Sequence, residues 1–176
     1  MAARTTAVFL TIGLVMSMPA SAQARWGLAG GYSFLQDPPD RTNFPAGWVA
    51  AVDVELTPWL AAVGDVSGHR NSNFDIELST IAILGGARAS ARIGWLVEFA
   101  QLLAGVVRSS STVLGAGASE HDPALQPGGG IEVDVAPQLS LRGQIDYRLV
   151  GGGPGPPIAD PRHQFRYSAS IVYHHR

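Results

Sequence analysis

Histidines placed beside acids are the chemistry this chain most plainly offers. His69 follows Asp65 and precedes Ser72, and His121 stands between Glu120 and Asp122. A serine, a histidine and an orienting acid make a hydrolase if folding brings them within hydrogen-bond reach. The Glu120-His121-Asp122 triplet could hold Ca²⁺ or Zn²⁺ weakly, but its spacing matches no recognised metal loop. His174 and His175 are adjacent, and neighbours on a strand face opposite sides, so the two cannot readily share an ion. The glycine-rich run from Gly151 to Pro157 lacks the lysine and following helix of a phosphate cradle, and reads as a flexible outer loop. Histidines beside acids in loops are more often solvated than catalytic. The sequence therefore assigns no catalytic, cofactor-binding or metal-ligating residue, and it reads as a non-enzyme with no cofactor.

Composition narrows the rest. The 176 residues suit one domain, and 12 basic against 14 acidic side chains leave no basic patch for nucleic acid. All twelve cations are arginine, whose planar fork suits carboxylate pairing in a confined interior. The absence of cysteine removes disulfides, zinc-thiolate sites and thiol nucleophiles together. With 21 glycines and 12 prolines, the chain suits many turns rather than a helix bundle. Residues 1 to 24 carry Arg4, an apolar run from Ala7 to Met18, and small residues at Ala20, Ala22 and Ala24, the pattern of a secretory signal peptide cleaved after Ala22 or Ala24. The mature domain is then residues 25 to 176. Beyond the signal, every window of about 18 residues contains a charge, so no spanning helix is expected.

Eight stretches read with a period of two. Leu139, Leu141, Gly143, Ile145, Tyr147 and Leu149 oppose Ser140, Arg142, Gln144, Asp146 and Arg148, and Phe165, Tyr167, Ala169, Ile171 and Tyr173 oppose Gln164, Arg166, Ser168, Ser170, Val172 and His174. Such alternation fits a strand with one wet side. Trp26 to Phe34, Trp48 to Leu56, Leu60 to Ser67 and Ile131 to Val135 follow the same rule. Ser79 to Ala89 and Trp95 to Ser109 alternate less clearly. Ile93 to Val107 also fits an apolar helix with Glu98 and Gln101 on one face, but a lone helix would leave an odd strand count and an open sheet edge. If lipid wets the apolar side, the interior carries Asp53, Glu55, Asp65, Arg88, Glu132, Asp134, Arg142, Asp146, Arg148 and Arg166. Buried charges of this kind must pair, so a ladder of arginine-carboxylate contacts and a plugged bore follow.

Seven joints separate the stretches and alternate in length. The long ones lie at Gln36 to Ala46, Gly68 to Glu77, Ser109 to Gln126 and Val150 to Arg162, and the short ones at Leu56-Thr57-Pro58, Ser90 to Gly94 and Ala136-Pro137-Gln138. Transmembrane β-barrels sort their connections in this way, with tight periplasmic turns and long outer loops. Trp26, Trp59, Trp95 and Tyr173 would form one aromatic girdle, and Trp48, Phe34 and Tyr147 the other.

Ile83-Leu84-Gly85-Gly86-Ala87-Arg88, Phe99-Ala100-Gln101, Gly128-Gly129-Gly130-Ile131-Glu132-Val133 and the closing Phe165-Arg166-Tyr167-Ser168 resemble small bacterial outer-membrane β-barrel domain proteins of the OmpA/OmpX type, a porin-like family. That resemblance implies an all-β fold, an eight-stranded antiparallel up-and-down transmembrane β-barrel in the cell outer membrane, with both termini periplasmic. It implies outer-membrane lipid, lipopolysaccharide and the barrel-assembly machinery as partners. Where such barrels usually finish on an aromatic residue, this chain runs Tyr173-His174-His175-Arg176. The expected role is structural or surface-interacting, with Asp37 to Phe44 and Ser110 to Asp122 as contact loops. A soluble periplasmic barrel of lipocalin type would reverse the two faces and enclose a ligand cavity. A lipid-modifying barrel enzyme is the third reading.

Overall fold

The computed structural model describes residues 25–37, 42–73, 76–113, 116–151 and 161–175. The proposed signal peptide and most of the Gly151 to Pro157 run lie outside them. Among the described residues there is no helix. The strands are β1 (Trp26–Asp37), β2 (Thr42–Phe44), β3 (Ala46–Thr57), β4 (Leu60–Asn73), β5 (Ile76–Ile93), β6 (Leu96–Val113), β7 (Ala116–Ala136), β8 (Leu139–Val150) and β9 (Arg162–His175). Each pairs antiparallel with its neighbour, and β1 pairs with β9 to close the sheet. Pro45 divides β2 from β3, because it has no N–H to donate. Leu35 faces Phe44 while Tyr32 faces Trp48, a one-residue shift across that break. The two pieces act as one stave, which makes an eight-stranded barrel.

Register fixes the barrel's dimensions. Directly opposed residues run from Glu98 through Ile131, Gly143, Ala169, Tyr32, Trp48, Gly68 and Ile81, and return to β6 at Arg108, ten residues further on. With the usual strand spacing and rise, that stagger tilts the strands by about 40° and gives a radius of about 8 Å. Alternate side chains point out, and the outward set is apolar: Leu28, Tyr32, Val52, Ile83, Leu102, Leu141, Ile145 and Ile171 are all exposed. The inward set includes buried Asp53, Asp65, Arg88, Glu132, Arg142, Asp146, Arg148 and Arg166. This is the reverse of a lipocalin, so the soluble-barrel reading is wrong.

Charge placement marks the height of the apolar belt. On the outer face of β6, Glu98 is followed by Ala100, Leu102, Ala104, Val106 and then Arg108. Ten residues at this tilt span about 25 Å along the axis, the height of a lipid-facing band. Trp26, Trp59, Trp95 and Tyr173 ring the end with the tight turns, as their spacing predicts.

Several boundaries differ from the sequence reading. Gly68 to Glu77 and Ser109 to Gln126 are largely strand rather than loop, since β4 continues to Asn73, β6 to Val113, and β7 begins at Ala116. The backbone ladder persists there although Ser109, Ser110, Ser111 and Thr112 carry no apolar alternation to signal it. β7 also runs through Pro127 and the glycines at 128 to 130, although its ladder with β8 passes from Leu125 to Gly128. The joint placed at Ser90 to Gly94 is instead the two-residue turn Gly94-Trp95, because Ile93 still pairs with Leu96. Ser79 to Ala89 and Leu96 to Ser109 are strands and not helix.

Gly94 has φ of 63°. Two-residue hairpins need a mirror-image turn with positive φ at the first central position, which glycine adopts without steric cost. Gly94→Val should therefore lose about 1–3 kcal/mol. Urea unfolding of the refolded protein in micelles reads that loss directly, and an unchanged midpoint would show that the turn tolerates a branched residue.

Candidate functional site

The functional candidate is the charged interior, because the tilt leaves it little room and the alternation sends eight formal charges into it. From the tight-turn end, His174 Nε2 donates to Glu132 Oε1 at 2.6 Å. Arg142 donates to the other oxygen of Glu132 at 2.8 and 2.9 Å and to Asp53 Oδ1 at 3.0 Å. Arg88 reaches the same Asp53 oxygen at 3.1 Å and donates twice to Gln101 Oε1, at 3.1 and 2.9 Å. Phe99 lies against both guanidinium groups, with its centroid 4.5 Å from Arg88 and 5.6 Å from Arg142. A ring face is an attractive wall for a cation where water is scarce.

The chain of contacts continues upward. Gln101 Nε2 donates to Asp146 Oδ1 at 3.1 Å, and Gln144 Nε2 reaches both Asp146 oxygens at 3.0 and 2.8 Å. Arg166 then joins Asp146 at 2.8 Å to Asp65, which it grips with two parallel bonds of 2.7 and 2.9 Å. An unbroken path of polar contacts thus links His174 to Asp65. Arg166 and Arg148 are both 0 % exposed. Arg148 donates to neutral partners, to Gln126 Oε1 at 2.7 Å and to Ser67 Oγ at 3.1 Å. Higher still, Gln164 donates to Asp37 at 2.8 Å and Arg162 to Asp122 at 2.7 Å. Val63, Ala82, Leu84, Leu103, Val107, Ala124 and Val150 form an apolar patch on the wall of β4 to β8. At the tight-turn mouth the bore widens into a vestibule of about 610 Å³ lined by Arg25, Asp53, Glu55, Arg88, Arg92, Glu132 and Arg142 among others.

Two expected lumen charges sit at that mouth instead. Glu55 is exposed and pairs with Arg25 at 3.8 Å, and Asp134 is half-buried between Arg92 and Ser140. Each lies three residues before a tight turn, where the inward face of the strand has already left the bore. A bulge in each strand, between Glu55 and Thr57 and between Asp134 and Ala136, turns the backbone there.

Of the His69 candidate site, the side chain of Ser72 lies outside the described residues, and the described members are not brought into a triad. His69 is buried, with Nε2 at 2.9 Å from Ser33 Oγ, while both oxygens of Asp65 are occupied by Arg166. Its Nδ1 has no hydrogen-bond partner among the described residues, so no acid orients the ring. The triplet around His121 lies on β7 rather than in a loop, with Asp122 turned inward to Arg162 and His121 exposed. His174 faces Glu132, whereas His175 stacks on Trp26 with centroids 5.2 Å apart. The Ser33-His69 contact had no local signal, because its partners are 36 residues apart.

Closed register, apolar exterior and neutralised interior define a transmembrane β-barrel of the outer-membrane type. No protein-family model matches the chain, and no curated protein does. Solved structures do. Neisserial surface protein A superimposes with a TM-score of 0.68 at 11% identity, covering 85% of this chain and 96% of that one. Ail, the attachment invasion locus protein of Yersinia pestis, gives 0.60 at 12%, covering 88% and 100%. The N-terminal β-barrel domain of Pseudomonas aeruginosa OprF gives 0.57 at 7%, covering 87% and 100%. The chain shares its fold with these small eight-stranded barrels.

Arg166 is the point where the interior can be tested. Arg166→Met would leave Asp65 and Asp146 buried without their cation, a loss of about 3–5 kcal/mol. Adding Asp65→Asn and Asp146→Asn should recover part of it in urea titrations; a silent Arg166→Met would show that the ladder is not a structural element. Gly128→Ala should destabilise the same network, since its Cβ would run into Asp146 Oδ1.

Proposed function

We propose that this chain is a secreted, outer-membrane-resident barrel with a plugged interior, serving a structural or surface-interaction role through its hairpin end. The observation that carries this reading is the inversion of polarity, with apolar side chains outward over a belt of about 25 Å and paired charges within. The likeness to outer-membrane barrels supports the location. Cleavage of residues 1 to 24 is part of the proposal, with the tight turns and both ends of the mature chain on the periplasmic side. Its surroundings are then outer-membrane lipid and lipopolysaccharide, reached with the help of the barrel-assembly machinery.

The contact surface differs in kind from the loops expected at Ser110 to Asp122. That segment belongs largely to two long paired strands, so partners would meet the paired extension of β6 and β7 rather than a loop alone. Asp37 to Phe44 likewise includes the short strand β2, though its central residues are outside the described set. A non-enzymatic role fits the buried Ser33-His69 pair, which has no orienting acid.

Three measurements test the reading together. The protein should stay in detergent-extractable outer membrane and change gel mobility on heating; release by osmotic shock would reject the location. Purified protein in planar bilayers should show negligible single-channel current, and large stable openings would refute the plug. Labelled lipid A and phospholipid should remain intact on incubation, with wild type and His69→Ala indistinguishable.

A further inference from the structure

Arg148 Nη1, Gln126 Nε2, His69 Nδ1 and Gln164 Oε1 are buried polar atoms with no hydrogen-bond partner among the described residues. Their side chains share one section of the bore. Arg148 is directly opposed to Gln164 across the β8–β9 ladder, holds Gln126 through Nε, and reaches across the barrel to Ser67 through Nη2. His69 is the next inward residue above Ser67 on β4, about 7 Å along the strand, and the guanidinium groups of Arg148 and Arg166 both act on its ring. Arg148 and Gln126 are fully buried, and His69 is 3 % exposed.

The neighbouring acids are already committed. Asp146, the next inward residue below Arg148, spends both oxygens on Arg166, Gln101 and Gln144, and Arg166 holds both oxygens of Asp65. Asp37 accepts from Gln164, and Asp122 from Arg162. The other buried arginines, Arg88, Arg142 and Arg166, each contact a carboxylate, whereas the hydrogen bonds of Arg148 go to an amide and a hydroxyl. When Ser33 donates to His69 Nε2, the ring carries its proton on Nδ1, so β4, β7 and β8 each bring an unused N–H donor to this section. A water oxygen accepts two hydrogen bonds and supplies no charge. A monatomic anion accepts all three and sets a negative charge against the guanidinium. Gln164 Oε1 is an acceptor and stands outside the set, its amide nitrogen being turned to Asp37.

We propose that Arg148 Nη1, Gln126 Nε2 and His69 Nδ1 form an internal halide site that takes chloride, giving Arg148 the counter-ion that its protein partners do not supply. The inference rests on the plugged-bore reading, in which the ion is a resident of the interior rather than a conducted species.

The test uses the mature chain refolded in micelles and unfolded in urea at constant ionic strength, with sodium chloride replacing sodium gluconate in steps. The urea midpoint should rise with chloride and saturate, and bromide should substitute for it. Gln126→Leu should weaken the apparent chloride affinity about tenfold, the loss of one hydrogen bond to a charged partner. Gln126→Glu sets a carboxylate beside Arg148 and should abolish the halide dependence without lowering the midpoint measured in gluconate. Bromide-loaded crystals of the wild-type chain should show an anomalous peak within hydrogen-bond reach of Arg148 Nη1, a readout that needs no variant to fold. Equal wild-type midpoints in chloride and gluconate overturn the site, and so does full halide dependence in Gln126→Glu. Bromide at surface positions alone, an adventitious ion only, overturns it too. Large stable currents in planar bilayers would reject the plug instead, a result separate from the halide measurements.

Discussion

A bore about 8 Å in radius holding eight formal charges can exist only if those charges neutralise one another, and much else in the structure follows from that requirement. Desolvating a lone guanidinium or carboxylate costs several kcal/mol, more than any single contact in the wall can offset. The chain meets this by sharing. Asp53 serves Arg88 and Arg142, Asp146 serves Arg166 and two glutamines, and Glu132 serves Arg142 and His174. Arginine is the cation that can do so, because its fork makes several directed bonds at once. The exclusive use of arginine, whatever its origin, suits this arrangement better than lysine would.

Neutralisation inside frees the exterior to be almost wholly apolar between Glu98 and Arg108. The closed sheet meets the other demand of lipid, since every strand finds a partner on both sides within the belt. The two requirements reinforce each other through the same two-residue alternation. A one-residue slip in β5, β8 or β9 would turn Arg88, Arg142, Arg148 or Arg166 into hydrocarbon and apolar side chains against carboxylates, so the register is strongly specified.

Much of this was legible in the sequence. The clean alternation in Leu139 to Val150 and Gln164 to His174 gave both faces of β8 and β9, and with them Arg142, Asp146, Arg148 and Arg166 as interior groups. What alternation could not give was the partner of each charge, because Asp65 and Arg166 are 101 residues apart and meet only through closure. The ends of strands were read poorly for a related reason. Glu55 and Asp134 keep the inward phase, yet bulges beside the turns carry them to the mouth. Serine-rich stretches such as Ser109 to Ser111 lack an apolar face, so hydrophobic patterning does not register the strand pairing that continues through them.

The seam between β1 and β9 has a consequence for assembly. Trp26 is opposed to His175 and stacks on it, so the first strand of the barrel is completed by the last. No shorter fragment emerging in sequence order can hide its two raw borders. Those borders stay unpaired until the last strand meets the first, where Trp26 and His175 stack across the junction.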